Sequence, residues 1–231
     1  MTRTRRATAA LLTLAVSMLG LVVTAAPAQA AAPVTVADTA SMYAGNLVEV
    51  DPLANDSDPD GDELAICRVA ESTYTRVEFH LESSDDGSAA TVVLFASPKA
   101  KPGTYTFTYY ACDFQTLVPG TITLTVQDAP DITAKALPGR PGKIKIKNPA
   151  DFKIRFLYGS SKEEAPDGTV KVPRNSSVIL SVRRTRIDWV AYGRKGDYLA
   201  RGKVKGIVLP PGTTPPADGR SGPMLRRLWT R

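Results

Sequence analysis

Between residues 33 and 128 the chain alternates short apolar-rich stretches with turn residues. The stretches are rich in Val, Thr, Tyr and Phe, and several alternate apolar with polar positions, which is the pattern of a half-buried strand. Seven stretches are predicted as strands: PVTVADTA, NLVEV, LAICRVA, TYTRVEFHLE, AATVVLFA, TYTFTYYAC and TITLTVQ. About seven short strands in about 95 residues, with no helical period, predict an immunoglobulin-like β-sandwich.

Glycine and proline mark the boundaries of these strands. The predicted turns contain Gly45, Asp60-Gly61, Asp86-Gly87, Pro102-Gly103 and Pro119-Gly120.

The second half of the chain continues in the same all-β style. Its candidate strands are ITAKAL, KIKIKN, FKIRFLYGS, TVKVP, SVILSVR, RIDWVAYG and YLARGKVKGIVL. In KIKIK the isoleucines and lysines alternate, so that the isoleucines are expected to face a core and the lysines the solvent. We predict a second, smaller β-sandwich over residues 131–209, with Trp189 in its core. Residues 210–231 are rich in Pro and Gly and are predicted to form a disordered tail.

The charge changes sign between the two halves. Residues 31–130 carry 15 acidic and 4 basic residues, a net charge of −11, whereas residues 131–231 carry 22 basic and 8 acidic residues, a net charge of +14. This asymmetry favours two domains, 31–130 and 131–209, with different surfaces. A strongly basic surface favours polyanionic partners. Two alternatives remain open: the halves attract each other, or the charge only keeps the chain soluble.

The N-terminus is typical of a secretory signal peptide. Three arginines precede an apolar run of 14 residues, Ala10 to Val23, and Ala28-Gln29-Ala30 provides a cleavage site. We therefore predict a signal peptide over residues 1–30, an extracellular protein with or without cell-wall association, and no transmembrane span, because the run is too short for a bilayer. In an oxidising compartment the only two cysteines, Cys67 and Cys112, are expected to form a disulfide.

A run of carboxylates between residues 56 and 63 is the main candidate site. Asp56, Asp58, Asp60 and Asp62 stand at alternate positions, and Gly61 permits a tight turn. Calcium takes six to eight oxygen ligands, so that converging carboxylates at this spacing predict a structural calcium ion. The predicted oxygen ligands are those of Asn55, Asp56, Asp58, Asp60 and Asp62, with Asp38 as a weaker candidate. A solvated acidic turn without an ion remains the other interpretation.

The segment APVTVADTASMYAGNLVEVDPLANDSDPDGDELAICRV resembles the opening of bacterial cadherin-like, immunoglobulin-like repeats of the VCBS type. YTFTYYACD is similar to the tyrosine-rich penultimate strand of that family, and GTITLTVQD to its last strand. The resemblance implies a sandwich over about residues 33–128 and a further calcium ligand, Asp113. It also implies that Cys67 and Cys112 lie on the second and sixth strands, one in each sheet, facing each other across the core.

The residues argue against an enzyme. The only histidine, His80, lies on a predicted strand, and the sequence contains no nucleophile elbow, phosphate-binding loop or histidine metal cluster. We predict a secreted, non-enzymatic adhesion or binding protein, whose partner is an anionic cell-envelope polymer or an extracellular protein or glycan, and not a nucleic acid. Two other hypotheses are an inhibitor of an extracellular hydrolase, presenting the loop FQTLVPG, and a carbohydrate-binding accessory protein. The oligomeric state is not predicted.

Overall fold

The computed structural model describes residues 30–83, 90–113, 115–163 and 165–216 of the chain. Most of the predicted signal peptide, the Asp86-Gly87 turn and most of the predicted tail lie outside these residues. Ala31–Arg231 form one compact unit. Its described residues are all-β except for one 3-10 turn, Pro52–Ala54. None of the helical structure in the described ranges is long and apolar enough to cross a membrane.

The first seven strands form two sheets packed face to face. They are β1 (Asp38–Tyr43), β2 (Leu47–Val50), β3 (Ala65–Val69), β4 (Val77–Ser83), β5 (Ala90–Ala96), β6 (Gly103–Cys112) and β7 (Leu117–Gln127). One sheet has the order β1-β7-β6-β3 and the other β2-β5-β4. The β1–β7 pair is parallel and the remaining pairs are antiparallel.

Alternation along the strands builds the core of this first sandwich. In β7, Ile122, Leu124 and Val126 are buried, while the threonines between them face outward. They pack with Phe107 of β6 and with Phe79 of the opposite sheet, and these two rings stack 5.0 Å apart.

The other seven strands form a second pair of sheets. They are β8 (Thr133–Ala136), β9 (Lys143–Asn148), β10 (Ile154–Gly159), β11 (Gly168–Val172), β12 (Ser176–Ser181), β13 (Ile187–Tyr192) and β14 (Tyr198–Val204). Their sheet orders are β11-β10-β13-β14 and β12-β9-β8. As predicted, Ile144 and Ile146 are buried and Lys145 and Lys147 are exposed. Trp189 is buried and stacks on Phe156 with a centroid separation of 5.1 Å.

The prediction of an all-β chain with two immunoglobulin-like sandwiches is confirmed. Each sandwich has its own hydrophobic core. A boundary at residue 130 stays a prediction, because the described residues on both sides belong to one compact unit.

The side chain of Asn46 joins the two sandwiches. It stands in the β1–β2 turn of the first sandwich and donates to the carbonyl oxygen of Tyr198 at 2.8 Å, while its Oδ1 accepts from the Tyr198 amide at 2.7 Å. The ring of Tyr198 lies against Gly45, which has a φ of +88° and leaves no room for a Cβ. Tyr43 packs against the second core. These contacts fix the first residues of β14 against the first sandwich.

The disulfide forms, but its predicted position was wrong. Cys67 and Cys112 are bonded, with their Cα atoms 6.0 Å apart. They lie on the third and sixth strands, and β3 pairs with β6 in the same sheet. The register shifts between Ile66 and Arg68, so that Cys67 occupies a bulge. Cys67 is exposed, so that the bond joins two neighbouring strands at a sheet edge and does not cross the core.

Pro119-Gly120 was wrongly predicted as a turn. Both residues belong to β7, and only 113–116 connect it to β6. Because β1 pairs with β7 only from Ile122 onward, Pro119 has no strand partner on that side, and a missing N–H there costs no ladder hydrogen bond. The loop FQTLVPG, predicted for an inhibitor, is therefore largely strand.

Candidate functional site

The acidic segment folds as a tight turn that Asp58 closes. Asp58 Oδ1 accepts from the amides of Asp60 at 2.8 Å and Asp62 at 3.4 Å. Gly61 has a φ of +82°, which favours glycine. Asp60 Oδ2 accepts from the Ala31 amide at 2.5 Å. The carboxylates at alternate positions therefore organise the local backbone.

Asp56 serves a different purpose and links three parts of the first sandwich. Its Oδ1 accepts from the Val36 amide and its Oδ2 from the hydroxyl of Tyr109, both at 2.7 Å. The Tyr109 side chain crosses Gly120 on the neighbouring strand, where a Cβ would collide with the ring. Burial, followed by the Asp56 hydrogen bond and charge, raises the pKa of Tyr109 far above its ordinary value, so that the hydroxyl stays a donor.

Asp38 and Asp113 lie near the ends of strands and have opposite pKa shifts. Burial is the main cause that raises the pKa of Asp38; the charges of Asp56 and Asp51 add to it, and the hydrogen bond from Asn55 at 3.1 Å opposes it. The Thr116 amide, 2.5 Å from Asp113 Oδ1, is the main cause that lowers the pKa of Asp113.

The signs of these shifts give opposite effects of pH on stability. Because the folded-state pKa of Asp38 is raised, its contribution to stability falls as pH rises from the ordinary value of 3.8 through the folded pKa. Because the folded-state pKa of Asp113 is lowered, its contribution is lost as pH falls below 3.8 through the folded pKa.

Three carboxylate oxygens in this region are buried and have no hydrogen-bond partner among the described residues. They are Oδ2 of Asp38, Asp58 and Asp113. Oxygen donors of this kind suit calcium. The predicted ligands do not converge as placed, since the described ranges hold no group of three acidic, histidine or cysteine side chains arranged to bind a metal. Asn55, Asp60 and Asp62 are exposed at the surface of the turn.

Sequence reasoning noted the basic second half but missed the groove in which several of its cations meet. The cationic groove, about 860 Å³ in volume, lies at one end of sheet β11-β10-β13-β14, where β10 begins, β11 ends and the β13–β14 turn follows. Its basic residues are Lys153, Arg155, Lys171, Arg174, Arg194 and Lys195, and its one acidic residue is Asp151. The available signal was the outward position of Arg155 and Lys171 on two predicted strands.

The two cations on these strands stand directly opposite each other. Arg155 and Lys171 are cross-strand partners, and like charges at this spacing destabilise a sheet. The Arg155 guanidinium lies 5.6 Å from the centre of the Tyr192 ring, and that of Arg194 lies 5.9 Å from the ring of Phe152. These contacts orient the guanidinium groups, whose N–H donors have no partner among the described residues and can bind a ligand.

Asn148 holds the backbone beneath this groove. It is fully buried, and its Nδ2 donates to the carbonyl oxygens of Phe152 at 2.8 Å, Pro173 at 2.9 Å and Val172 at 3.2 Å. Its Oδ1 accepts from the Ala150 amide at 3.0 Å. One side chain thus ties the segment before β10 to the end of β11.

Comparison with known proteins gives one family for the first half. No curated protein matches the chain. Among solved structures, an endo-fucoidan hydrolase from glycoside hydrolase family 107 is 14% identical, with 76% of this chain and 34% of that chain covered and a TM-score of 0.33. A chimeric titin Z1Z2 carrying a decorin peptide is 13% identical, with 79% and 99% covered and a TM-score of 0.29. This chain spans about a third of the hydrolase, and neither likeness supports a conclusion.

The family comparison agrees with the resemblance of the LANDSDPDGDEL segment. Residues 30–135 match the model described as bacterial Ig domain. They contain the first sandwich with its acidic turn and disulfide. This part of the chain is a bacterial Ig-like domain.

Proposed function

We propose that the chain is a non-enzymatic extracellular binding protein that holds an anionic cell-envelope polymer in the cationic groove of its second sandwich. In this proposal the first sandwich is a rigid support that a calcium ion stabilises further.

The observation that carries the proposal is the concentration of six cations around one concave surface. None of the six forms an ion pair in the described parts of the chain. A pair of cations on neighbouring strands does not by itself distinguish the cationic groove from the rest of the basic surface. Lys135 and Lys145 also stand opposite each other, on the β8–β9 pair. The groove adds concavity and aromatic support for two guanidinium groups, which suit multivalent binding of phosphate, sulfate or carboxylate.

Charge reversal in the groove tests this function. The variant Arg155→Glu/Lys171→Glu is expected to bind polyphosphate at least about tenfold more weakly, because it removes two attractive charges and adds two repulsive ones. The control Lys145→Glu/Lys147→Glu makes the same change of net charge on the exposed face of β9, so that a much smaller loss is expected. Fluorescence titration of residues 31–231 with labelled polyphosphate measures both affinities. Equal losses in the two variants would show that total charge, and not this groove, determines binding.

The support for calcium is the set of buried oxygens on Asp38, Asp58 and Asp113 that have no hydrogen-bond partner in the described part of the chain. An ion held there would compensate for their burial and for the mutual repulsion of the carboxylates. Asp38 and Asp58 would supply carboxylate oxygens from two separate segments, so that the ion would stabilise the folded state only. Calcium binding in this proposal brings the three side chains closer together than they lie in the described arrangement.

Calcium is expected to raise the melting temperature of residues 31–231 at pH 7, with magnesium less effective. At a concentration one hundred times the dissociation constant, the gain is about 2.7 kcal/mol. The gain should shrink as pH falls through the raised pKa of Asp38, because protons compete with the ion. Scanning calorimetry with calcium or EDTA measures it in the wild type, in Asp58→Asn and in the control Glu63→Gln. Identical melts with and without calcium would leave Asp58 as a turn residue only.

A further inference from the structure

A second groove lies where the two sandwiches meet. This junction groove, about 670 Å³ in volume, has the outer face of sheet β2-β5-β4 on one side and the β13–β14 turn on the other. The hydrogen bonds between Asn46 and Tyr198 hold its two sides together. The fold therefore fixes the start of β14 against the first sandwich at this groove.

The first-sandwich side of the junction groove is apolar at its centre. Phe95 of β5 points away from the core, since Leu94 and Ala96 on either side of it are buried inward. Leu47 is the cross-strand partner of Phe95 and is 55% exposed. Leu47 is exposed and Phe95 is half-buried, so that a ligand covering this apolar surface would gain free energy by removing it from water.

Polar groups surround this apolar centre. Glu78 pairs with Phe95 across the strands, and His80 Nε2 lies 3.4 Å from Glu78 Oε2. The opposite side presents Asp197 and the ring of Tyr198. An apolar floor with a few hydrogen-bonding groups around it suits a sugar ring, which has an apolar C–H face and hydroxyls at its edge.

The junction groove and the cationic groove are neighbours. Lys195 and Gly196 line both of them. Tyr192 lines the junction groove and lies beneath the guanidinium of Arg155, which belongs to the cationic groove. A polymer bound among the cations can therefore extend over the β13–β14 turn into the junction groove without leaving the surface.

We propose that the two grooves form one extended site for an acidic polysaccharide, whose anionic groups bind in the cationic groove and whose sugar rings stack in the junction groove. This inference rests on the proposed function. A polyphosphate fits only the first half of the site, because it has no apolar face to lie on Leu47 and Phe95. The polymer class that satisfies both grooves carries its negative charges on sugar rings.

The test compares two probes of matched charge, dextran sulfate and polyphosphate. Residues 31–231 are expected to bind dextran sulfate about fivefold or more tightly at equal charge concentration. Phe95→Ala should abolish this preference and leave the polyphosphate affinity unchanged, because Phe95 lies outside both the core and the cationic groove. Leu47→Ser should also reduce the preference for dextran sulfate. It provides a second test of the junction groove if Phe95→Ala does not fold. The control Leu117→Ser changes an equally apolar residue, 45% exposed, outside the junction groove.

The outcomes separate this inference from the function on which it rests. If Arg155→Glu/Lys171→Glu weakens neither probe, the cationic groove is not the binding site and both proposals fail. Suppose instead that this variant weakens the binding of both probes. If the wild type then shows no preference for dextran sulfate, or one that Phe95→Ala and Leu47→Ser leave unchanged, the polyanion site in the cationic groove is supported. The extension into the junction groove is then wrong.

Discussion

Asn148→Ala is expected to lower the free energy of unfolding by about 3–5 kcal/mol, because buried polar groups that lose their partners cost about 1–3 kcal/mol each. The change removes, from a fully buried position, two N–H donors that are shared among the carbonyl oxygens of Phe152, Val172 and Pro173. It also removes the Oδ1 acceptor of the Ala150 amide. Denaturant unfolding monitored by tryptophan fluorescence measures the loss, since Trp189 is in the core of the same sandwich.

Two further variants separate hydrogen bonding from the loss of volume. Asn148→Asp keeps the size of the side chain but replaces the Nδ2 donor by an oxygen that faces carbonyl oxygens, so that it is expected to destabilise at least as much as alanine. Ser176→Ala, at an exposed-edge hydroxyl that donates to the Pro173 carbonyl, should cost less than about 1 kcal/mol. A stable Asn148→Asp variant would mean that the side chain acts by filling space only.

The same residue connects stability with binding. Phe152 and Pro173 line the cationic groove, and their carbonyl oxygens are held by Asn148. At a temperature at which Asn148→Ala remains folded, a several-fold weaker affinity for polyphosphate is expected, because the cations on the two segments are no longer held in one arrangement.

Removing the disulfide is the second change with a large expected effect. The bond closes a loop with a sequence separation of 45, which corresponds to about 4 kcal/mol of stability in the chain-entropy estimate. Cys67→Ser/Cys112→Ala should therefore lower the free energy of unfolding by about 3–4 kcal/mol. Neither cysteine belongs to the hydrophobic core cluster, so that the packing of the first sandwich is expected to survive.

The exposure of Cys67 gives this prediction a second readout. Cys67 is exposed at the sheet edge, whereas Cys112 is buried. We therefore expect a mild reductant to reach the bond from the Cys67 side and to break it in the native protein without prior unfolding. Thiol labelling against time in native buffer and in denaturant measures accessibility. Equal free energies of unfolding for the oxidised and reduced protein would contradict the contribution of the disulfide to stability. Thiol labelling only after unfolding would contradict its position at the sheet edge.

Strand positions could be predicted from sequence because the alternation of apolar and polar residues is a local property. The KIKIK segment shows this most clearly: Ile144 and Ile146 face the core and the lysines face outward. The alternation says which face a side chain occupies but not which strands are neighbours. For that reason the disulfide was predicted correctly as a bond, whereas its placement across the two sheets was wrong.

The turn prediction failed at Pro119-Gly120 for a related reason. Proline and glycine mark turns unless the tertiary structure has another use for them. In this sandwich Pro119 lies where β7 has no strand partner on the β1 side, and Gly120 makes room for the ring of Tyr109, whose hydroxyl bonds to Asp56. Both reasons depend on neighbouring strands that local sequence does not specify.

The candidate sites were predictable to different degrees. The acidic turn was visible because its residues are contiguous, and the hydrogen bonds of Asp56 and Asp58 show how the fold uses part of that charge. The calcium ion stays a prediction. The cationic groove is assembled from separate segments of the chain. The sequence therefore predicted only that the second half of the chain is basic, and not where its cations meet. Asn46 and Asn148, which fix the geometry, gave no signal because an asparagine that bonds to the backbone of another segment has no sequence pattern of its own.

The most direct test of the proposed binding function is a map of backbone amide chemical shifts in labelled residues 31–231 during titration with polyphosphate. We predict that the largest changes fall at Lys153, Lys171, Arg174 and Arg194 and decrease as salt is added, since ions screen the attraction. Chemical-shift changes centred on the exposed lysines of β9, or spread evenly over the second sandwich, would contradict a specific binding site in the cationic groove.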